Sequence, residues 1–171
     1  MKEIMENYYL RPVELSDAKA LFEFSSNENV TKYLSWVAHK DINETLWAIK
    51  NIYFKNEPIS NAIVNSDNVA IGIIDFMVNS SGHKEIGYFL NPKYHRKGIM
   101  TNALKKMLVI GFNELGYETI QIGHIKENLA SKGVIIKNGF KYLETVERTY
   151  KGKKYQVLQY EMKGIDFNEQ S

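Results

Sequence analysis

The chain of 171 residues contains no cysteine. This absence excludes structural disulfides, thiolate metal sites and covalent cysteine intermediates. Any group transfer must therefore pass directly from donor to acceptor, or through a less usual nucleophile. The four histidines, at positions 39, 83, 95 and 124, show no metal-ligand spacing, and no H-E-x-x-H sequence is present. We therefore expect no metal site.

Proline is also scarce, with three residues at positions 12, 58 and 92. The chain has no repeats, no low-complexity tracts and no segment with the composition of a linker. These features predict a single domain over residues 1–171, with a core at about 7–163 and a short C-terminal tail.

Long apolar runs are missing as well. The longest, such as residues 107–110 and 134–136, are far too short to span a bilayer. The first ten residues include acidic side chains and no apolar segment, so we expect no signal peptide and a cytoplasmic protein. A net charge of +2 is too small to argue for a nucleic-acid or membrane partner.

Apolar periodicity and turn signals predict seven strands and four helices. The predicted strands cover residues 8–11, 61–65, 69–78, 84–90, 120–125, 142–150 and 155–162. The predicted helices follow Ser16, Asp41 and Gly98 and cover 129–138, while 29–38 is predicted to be irregular or weakly helical. The order β-α-α-β-β-β-α-β-α-β-β predicts a mixed, mainly antiparallel α/β sheet with helices on both faces.

The segment His95-Arg96-Lys97-Gly98-Ile99-Met100-Thr101 lies between a predicted strand and a predicted helix. The start of a helix presents unpaired backbone N–H groups and partial positive charge to an anion. Gly98 lets the backbone approach a ligand without a Cβ in the way, and Arg96 and Lys97 add positive charge. The segment therefore predicts a diphosphate site, and a loop with a few solvated basic residues is the alternative. No Walker A sequence and no G-x-G-x-x-G fingerprint is present.

This turn and the preceding Glu85-Ile86-Gly87-Tyr88-Phe89-Leu90-Asn91-Pro92 resemble the GNAT N-acetyltransferase superfamily, specifically its RimJ/RimL-type branch. In that family the turn reads Q/R-x-x-G-x-G/A, and its backbone amides bind the pyrophosphate of coenzyme A. Gly98 falls on the central glycine, whereas His95 and Met100 depart from the usual residues. The resemblance extends from Leu10 to the closing hairpin near Met162 and implies the GNAT acyl-CoA N-acyltransferase fold. It also implies that acetyl-CoA is bound by Leu90, His95, Arg96, Lys97, Gly98, Ile99, Met100 and Thr101.

A second segment, Asn128-x-x-Ser131 followed by Lys137-x-Gly139-Phe140, is similar to the family's next conserved block. The resemblance implies that Asn128, Ser131 and Lys137 also contact the cofactor. Taken as residues alone, Asn128 is a helix N-cap and Ser131 a first-turn residue. Many GNAT enzymes carry a tyrosine at the position of Ile135 that protonates the departing thiolate. The RimJ/RimL-type branch is thought to use the serine, which makes Ser131 the candidate acid.

The acceptor side requires a base and a binding surface. Because Glu85 lies close to where the family often places a base, we expect it to take the proton of the amine through water. An exposed strand glutamate is the alternative, and Asp75 and His124 are weaker candidates for the base. The resemblance places Tyr33, Trp36 and Asp75 on the acceptor side, although the aromatic residues fit the core equally well.

These features together predict an N-acetyltransferase that passes an acetyl group from acetyl-CoA directly to a primary amine in a ternary complex. The acceptor is either a protein N-terminal amine or a small-molecule amine, and a homodimer is expected by analogy only. Ile135, at the position of the usual tyrosine, leaves a rival hypothesis open, a catalytically silent acyl-CoA-binding regulatory module. A third hypothesis is an RNA-associated factor that uses the basic hairpin residues Lys151, Lys153 and Lys154.

Overall fold

The computed structural model describes residues 1–56 and 60–170. Within those residues the chain forms one sheet of eight strands: β1 (Lys2–Met5), β2 (Tyr8–Pro12), β3 (Ser60–Asn65), β4 (Ala70–Val78), β5 (Lys84–Leu90), β6 (Thr119–Ile125), β7 (Lys141–Tyr150) and β8 (Lys153–Lys163). The same residues form six α-helices: α1 (Ala18–Ser25), α2 (Glu28–Thr31), α3 (Ile42–Ala48), α4 (Ile99–Val109), α5 (Leu129–Lys137) and α6 (Gly164–Gln170). Helices α3 and α4 continue as π-helical turns over Ile49–Tyr53 and Ile110–Glu114.

The strands lie in the order β1-β2-β3-β4-β5-β6-β8-β7. Neighbours pair antiparallel except β5 and β6, which run parallel because α4 forms the crossover between them. In the described residues this parallel register holds a single residue pair, Glu85 with Gln121. Strands β5 and β6 therefore diverge toward the carboxyl end of β5.

Each face of the sheet carries its own apolar core. On one face, Leu104 and Met107 of α4 and Ile135 of α5 pack in one cluster with strand side chains that include Ile86 and Ile120. On the other face, Leu21 and Phe24 of α1 and Ile49 of the π-helical turn after α3 pack in one cluster with Ile73 of β4. Burial of apolar side chains on alternate positions of each strand fixes which polar residues share a face.

A buried ion pair anchors the start of α1 to β2. The guanidinium of Arg11 donates two hydrogen bonds of 2.8 Å to the carboxylate of Asp17. Both side chains are at most 7% exposed. Removing one partner would leave the other charge buried without compensation, so this pair fixes how α1 sits on the sheet.

The predicted mixed sheet with helices on both faces is confirmed, and the structure adds two elements to it. Strand β1 precedes the predicted first strand and pairs with it through a turn in which Asn7 has a φ of 69°. Helix α6 occupies the predicted C-terminal tail, where Phe167 packs on Phe112 with ring centroids 5.1 Å apart. The single-turn helix α2 overlaps the start of the segment 29–38, which was predicted to be irregular or weakly helical.

None of the helices formed by residues 1–56 and 60–170 has the length and apolar character needed to cross a bilayer.

Candidate active site

The divergence of β5 from β6 opens a gap in the middle of the sheet. Strand β5 pairs with β4 along its whole length, from Lys84 to Leu90. Its register with β6 ends at Glu85. The edge of β5 beyond that residue therefore faces the gap, and main-chain groups there can bind an extended ligand.

The chain leaves β5 through a short 3-10 turn (Pro92–Tyr94) that Asn91 caps by accepting a hydrogen bond from the amide of Lys93. A ring nitrogen of His95 then lies 3.1 Å from the carbonyl oxygen of Leu90, which ties the turn back to the end of β5. Two residues in the following turn have left-handed backbone conformations, Arg96 with a φ of 61° and Gly98 with a φ of 75°. Such a conformation costs little at glycine, and Gly98 is the N-cap of α4.

The amides at the start of α4 are available to a ligand. Within the described parts of the chain, the amides of residues 96–101 donate to no loop or cap acceptor, whereas that of Asn102 donates to the carbonyl of Gly98 at 3.0 Å. A Cβ at Gly98 would meet only the Asn102 side chain, at 3.7 Å, so the surface there is open. The side chains of Ile99 and Met100 are buried and hold the helix start in place. These amides and the exposed Arg96 and Lys97 fit a diphosphate.

Helix α5 forms the wall of the gap opposite β5. Asn128 is its N-cap, and the side chain of Asn128 accepts a hydrogen bond of 3.2 Å from the amide of Ser131. Past the end of the helix, Asn138 donates to the carbonyl of Thr101 at 3.2 Å and so links α5 to the first turn of α4. Lys137 is exposed on the same last turn, and Ile135 is fully buried in the core. The two predicted motifs are thus joined through the contact between Asn138 and Thr101.

A hydroxyl pair lies inside the gap. The phenol oxygen of Tyr88, on β5, is 2.7 Å from the Oγ of Ser131 on α5. Burial raises the pKa of Tyr88 to about 12, and the hydrogen bond with Ser131 lowers it to a smaller extent. Sequence reasoning assigned Tyr88 no role, although it belongs to the stretch that carries the family resemblance and shares a strand face with Leu90.

Glu85 lies on the opposite face of the sheet from Tyr88 and is buried, so the interpretation of it as an exposed strand glutamate is wrong. Its carboxylate accepts a hydrogen bond of 3.0 Å from Asn79 and lies 3.5 Å from a guanidinium nitrogen of Arg148. Asn79 also donates to Gln121 at 2.9 Å, and Gln121 donates to Glu161 at 3.1 Å. These side chains form a polar chain across β5, β6 and β8.

A cavity of about 390 Å³ opens beside Glu85. Its walls come from the end of β4, the turn after it and the end of β7: Met77, Val78, Asn79, Ser80, Arg148, Thr149 and Tyr150. A second cavity of about 160 Å³ shares Asn79 and Arg148 and adds Glu144 and Glu147. Sequence reasoning missed Arg148 and Asn79, because nothing local to either residue indicates that it reaches Glu85.

Asp75 lies on the same face, on β4, directly opposite Gly87 of β5. A Cβ at Gly87 would lie 3.3 Å from a carboxylate oxygen of Asp75 and 2.6 Å from the terminal methyl of Met77, so Asp75 packs closely against the backbone of β5. Burial raises the pKa of Asp75 from 3.8 to about 7, and the neighbouring Ser60 lowers it to a smaller extent. Asp75 is thus a buried carboxyl group that titrates near neutral pH.

His124 is held by structural contacts on the other face. One ring nitrogen lies 2.8 Å from the carbonyl oxygen of Ile125 and the other lies 3.1 Å from the hydroxyl of Tyr160. The ring is 4% exposed and stacks on that of Tyr160. It therefore faces away from Glu85 and its cavity.

The aromatic residues expected on the acceptor side occupy different positions. Trp36 packs against Phe89 of β5, with ring centroids 5.3 Å apart, and thus lies over the end of β5 where the gap opens. Tyr33 is half-buried, with the ammonium of Lys32 5.1 Å from its ring centroid. Of the two aromatic residues, Trp36 is therefore the one with a ring contact to β5 beside the gap.

The basic hairpin between β7 and β8 does not present a continuous basic surface. Lys151 donates to the carbonyl of Thr31, at the end of α2, at 2.7 Å. The ammonium of Lys154 is paired with Glu147 at 3.1 Å, and that of Lys153 lies 5.2 Å from the ring centroid of Tyr155. These contacts weaken the hypothesis of an RNA-binding hairpin and tie the hairpin tip to the α1–α3 side.

Comparison with known proteins agrees with this geometry. The family model described as an acetyltransferase (GNAT) domain matches residues 7–141. The uncharacterized N-acetyltransferase YoaA of Bacillus subtilis (strain 168) is 31% identical over 147 residues, and the match covers 82% of this chain and 82% of its own.

Two solved structures show the same fold. Spermidine N-acetyltransferase from Vibrio cholerae, in complex with CoA and spermine, superposes with a TM-score of 0.80 and 17% identity over 96% of this chain and 99% of its own. RimL, the ribosomal L7/L12 α-N-protein acetyltransferase, in complex with coenzyme A, gives a TM-score of 0.79 and 21% identity over 94% of this chain and 96% of its own. The family matched by the sequence and the fold of these structures lead to one conclusion: the chain belongs to the GNAT family of acetyltransferases and is an acetyl-CoA-dependent acyltransferase.

Proposed function

We propose that this enzyme transfers the acetyl group of acetyl-CoA directly to a primary amine, with both substrates bound at once. One observation carries the proposal: the unpaired amides of residues 96–101 continue into the open edge of β5, and that edge leads to the hydroxyl of Ser131. Acetyl-CoA would supply an activated acetyl group. The amides with Arg96 and Lys97 would hold its pyrophosphate, and Leu90, Asn128 and Lys137 would line the rest of its path.

Ser131 is the proposed acid. Its hydroxyl lies on the first turn of α5, where the partial positive charge of the helix favours negative charge on the departing sulfur. An O–H that donates to this sulfur stabilises the charge that develops as the C–S bond breaks. The apolar Ile135 cannot do this, so α5 contributes the acid from its first turn and not from its second.

The amine must lose a proton before it attacks, and two carboxyl groups on the α1–α3 face are candidates for the base. Glu85, the residue expected from the sequence, adjoins the cavity and is oriented by Asn79 and Arg148. Asp75 lies opposite Gly87, which is two residues further along β5 than Glu85 and therefore closer to the gap. Burial raises the pKa of Asp75 to about 7. An efficient base has a pKa near the working pH, which favours Asp75 as the alternative.

The charges around the cavities favour a small amine with a second positive charge. Glu85 and Glu161 contribute two negative charges to the polar chain, and Arg148 contributes one positive charge. Glu144 and Glu147 add negative charge at the second cavity, although Lys154 offsets part of it. A polyamine resembling the spermine bound by the Vibrio cholerae enzyme fits this balance better than a neutral amine.

The test is a turnover assay with acetyl-CoA and three acceptor classes: spermidine and its homologues, peptides with free N-termini, and small monoamines without a second charge. Release of the free thiol reports transfer, and mass spectrometry identifies the acetylated amine. We expect the highest kcat/KM for a diamine or polyamine and a decline with added salt. Transfer to peptides alone would contradict the acceptor class.

The silent-module hypothesis makes a different prediction in the same assay. A regulatory module would bind coenzyme A with ordinary affinity and acetylate no member of any class. Paired calorimetry and turnover measurements on one preparation therefore separate an enzyme from a sensor.

A further inference from the structure

The hydroxyl pair in the gap contains one residue that the proposed mechanism does not use. Tyr88 reaches from β5 to Ser131 on α5, and their oxygen atoms are 2.7 Å apart. Ser131 is 9% exposed, and Ile135, one turn further along α5, is fully buried among apolar side chains. Tyr88 is the side chain that lies within hydrogen-bond distance of the Ser131 hydroxyl.

The chemistry of the two hydroxyls determines the direction of this hydrogen bond. A phenol is a far stronger acid than an aliphatic alcohol, so Tyr88 is the better donor and Ser131 the better acceptor. Burial raises the pKa of Tyr88 to about 12, so the phenol keeps its proton at neutral pH. Without such a donor, a serine on a helix tends to donate back to the carbonyl four residues earlier, here that of Glu127.

We propose that Tyr88 donates its hydrogen bond to Ser131 and thereby directs the Ser131 O–H toward the sulfur of the acetyl donor. This inference rests on the proposed function, in which Ser131 is the acid. As the amine nitrogen forms its bond to the acetyl carbon and the C–S bond breaks, the electron pair of the C–S bond goes to sulfur and the Ser131 proton forms the S–H bond. Ser131 regains a proton from water, which carries the one that the base takes from the amine, and Tyr88 keeps its own proton throughout. Tyr88 acts through Ser131 and is a positioning residue.

Kinetics of three variants test the proposal: Tyr88→Phe, Ser131→Ala and the double substitution. Tyr88→Phe should lower kcat about tenfold, the loss expected for one hydrogen bond that orients a reacting group. Its affinity for coenzyme A by calorimetry should stay within about twofold of the wild type, because the pyrophosphate site is untouched. The double variant should be no slower than Ser131→Ala, since Tyr88 acts only through that serine.

Tyr117→Phe is the matched control. It also removes one phenol hydroxyl, but Tyr117 packs on Phe76 away from the gap, and kcat should not change. An unchanged kcat in Tyr88→Phe, or losses that multiply in the double variant, would overturn the proposal.

A measurement without turnover keeps the proposal testable even if Tyr88→Phe folds poorly. The phenol C–O stretching band, followed by infrared spectroscopy on protein with 13C-labelled tyrosine, distinguishes a donating hydroxyl from an accepting one. Ser131→Ala should shift one tyrosine band from the donor position, whereas Ser131→Thr should leave it there. An identical spectrum in wild type and Ser131→Ala would refute the hydrogen bond.

A wild type that binds coenzyme A but acetylates no amine would refute the proposed function, whereas an active wild type with no Tyr88 effect would refute this inference alone.

Discussion

Replacing Asp75 with asparagine should change how the stability of the protein depends on pH. Asp75 is 6% exposed on β4, beneath Tyr53, whose own pKa is raised by burial and by the charge of Asp75. Burial disfavours the carboxylate and raises the pKa of Asp75 from 3.8 to about 7 in the folded chain. Asparagine has nearly the same shape and carries no charge at any pH.

The direction of the pH dependence follows from which state of the chain, folded or unfolded, binds the Asp75 proton more tightly. The folded chain holds the Asp75 proton up to about pH 7, whereas the unfolded chain releases it near pH 3.8. The free energy of unfolding of the wild type therefore falls as pH rises between these values and levels off above them. A difference of about three pKa units lowers the free energy of unfolding of the wild type by about 4 kcal/mol as pH rises. Asp75→Asn should not show this decrease, because its side chain does not titrate.

Urea unfolding of both proteins at several pH values between 4 and 8 measures the effect. The stability of Asp75→Asn relative to the wild type should rise by about 4 kcal/mol across this range, whatever constant offset the new amide introduces. Asp67→Asn is the control, because Asp67 is an exposed residue of the turn between β3 and β4. Curves for Asp75→Asn and the wild type that stay parallel would refute the buried, proton-binding role of Asp75.

Two further predictions concern other parts of the molecule. Glu85→Gln should lower kcat with little change in affinity for acetyl-CoA, and a rate that stays intact across pH would transfer the role of base to Asp75. In that case the acid limb of the rate profile lies near pH 7 and disappears in Asp75→Asn, as stopped-time thiol assays would show. Asp17→Asn should reduce the free energy of unfolding by about 3 kcal/mol, because it leaves the Arg11 guanidinium buried without a counter-charge. Urea titration measures this loss, and a clearly smaller loss would contradict the prediction.

The acetyl-donor side of the site could be predicted from the sequence because its signals are local. A glycine with positive φ, two basic residues and a helix start lie within one short segment, and the physics of helix ends assigns them an anion. Asn128 as an N-cap is equally local. In contrast, the contact of Tyr88 with Ser131 joins residues 43 positions apart, and no periodicity in the sequence indicates it.

The acceptor side depends on long-range pairing and was therefore predicted less completely. Glu85 reads as an exposed residue in a charged hairpin until the register of the sheet brings Arg148 from β7 beside it. The raised pKa of Asp75 arises from burial beneath the turn that contains Tyr53, which the sequence of β4 alone does not reveal. Strand β1 escaped prediction because it is a short, largely exposed edge strand that is defined by its pairing with β2.

Isothermal calorimetry with acetyl-CoA, on the wild type and on Gly98→Glu, tests the central claim most directly. The wild type should bind one molecule per chain. Gly98→Glu should bind at least about 100-fold more weakly, because a carboxylate and a strained left-handed residue would stand where the amides of α4 meet the phosphates. Gly98→Ala adds the strain without the charge and should fall between them. A wild type that shows no binding of acetyl-CoA or coenzyme A, or a Gly98→Glu protein that binds as the wild type does, would contradict the assignment of this turn.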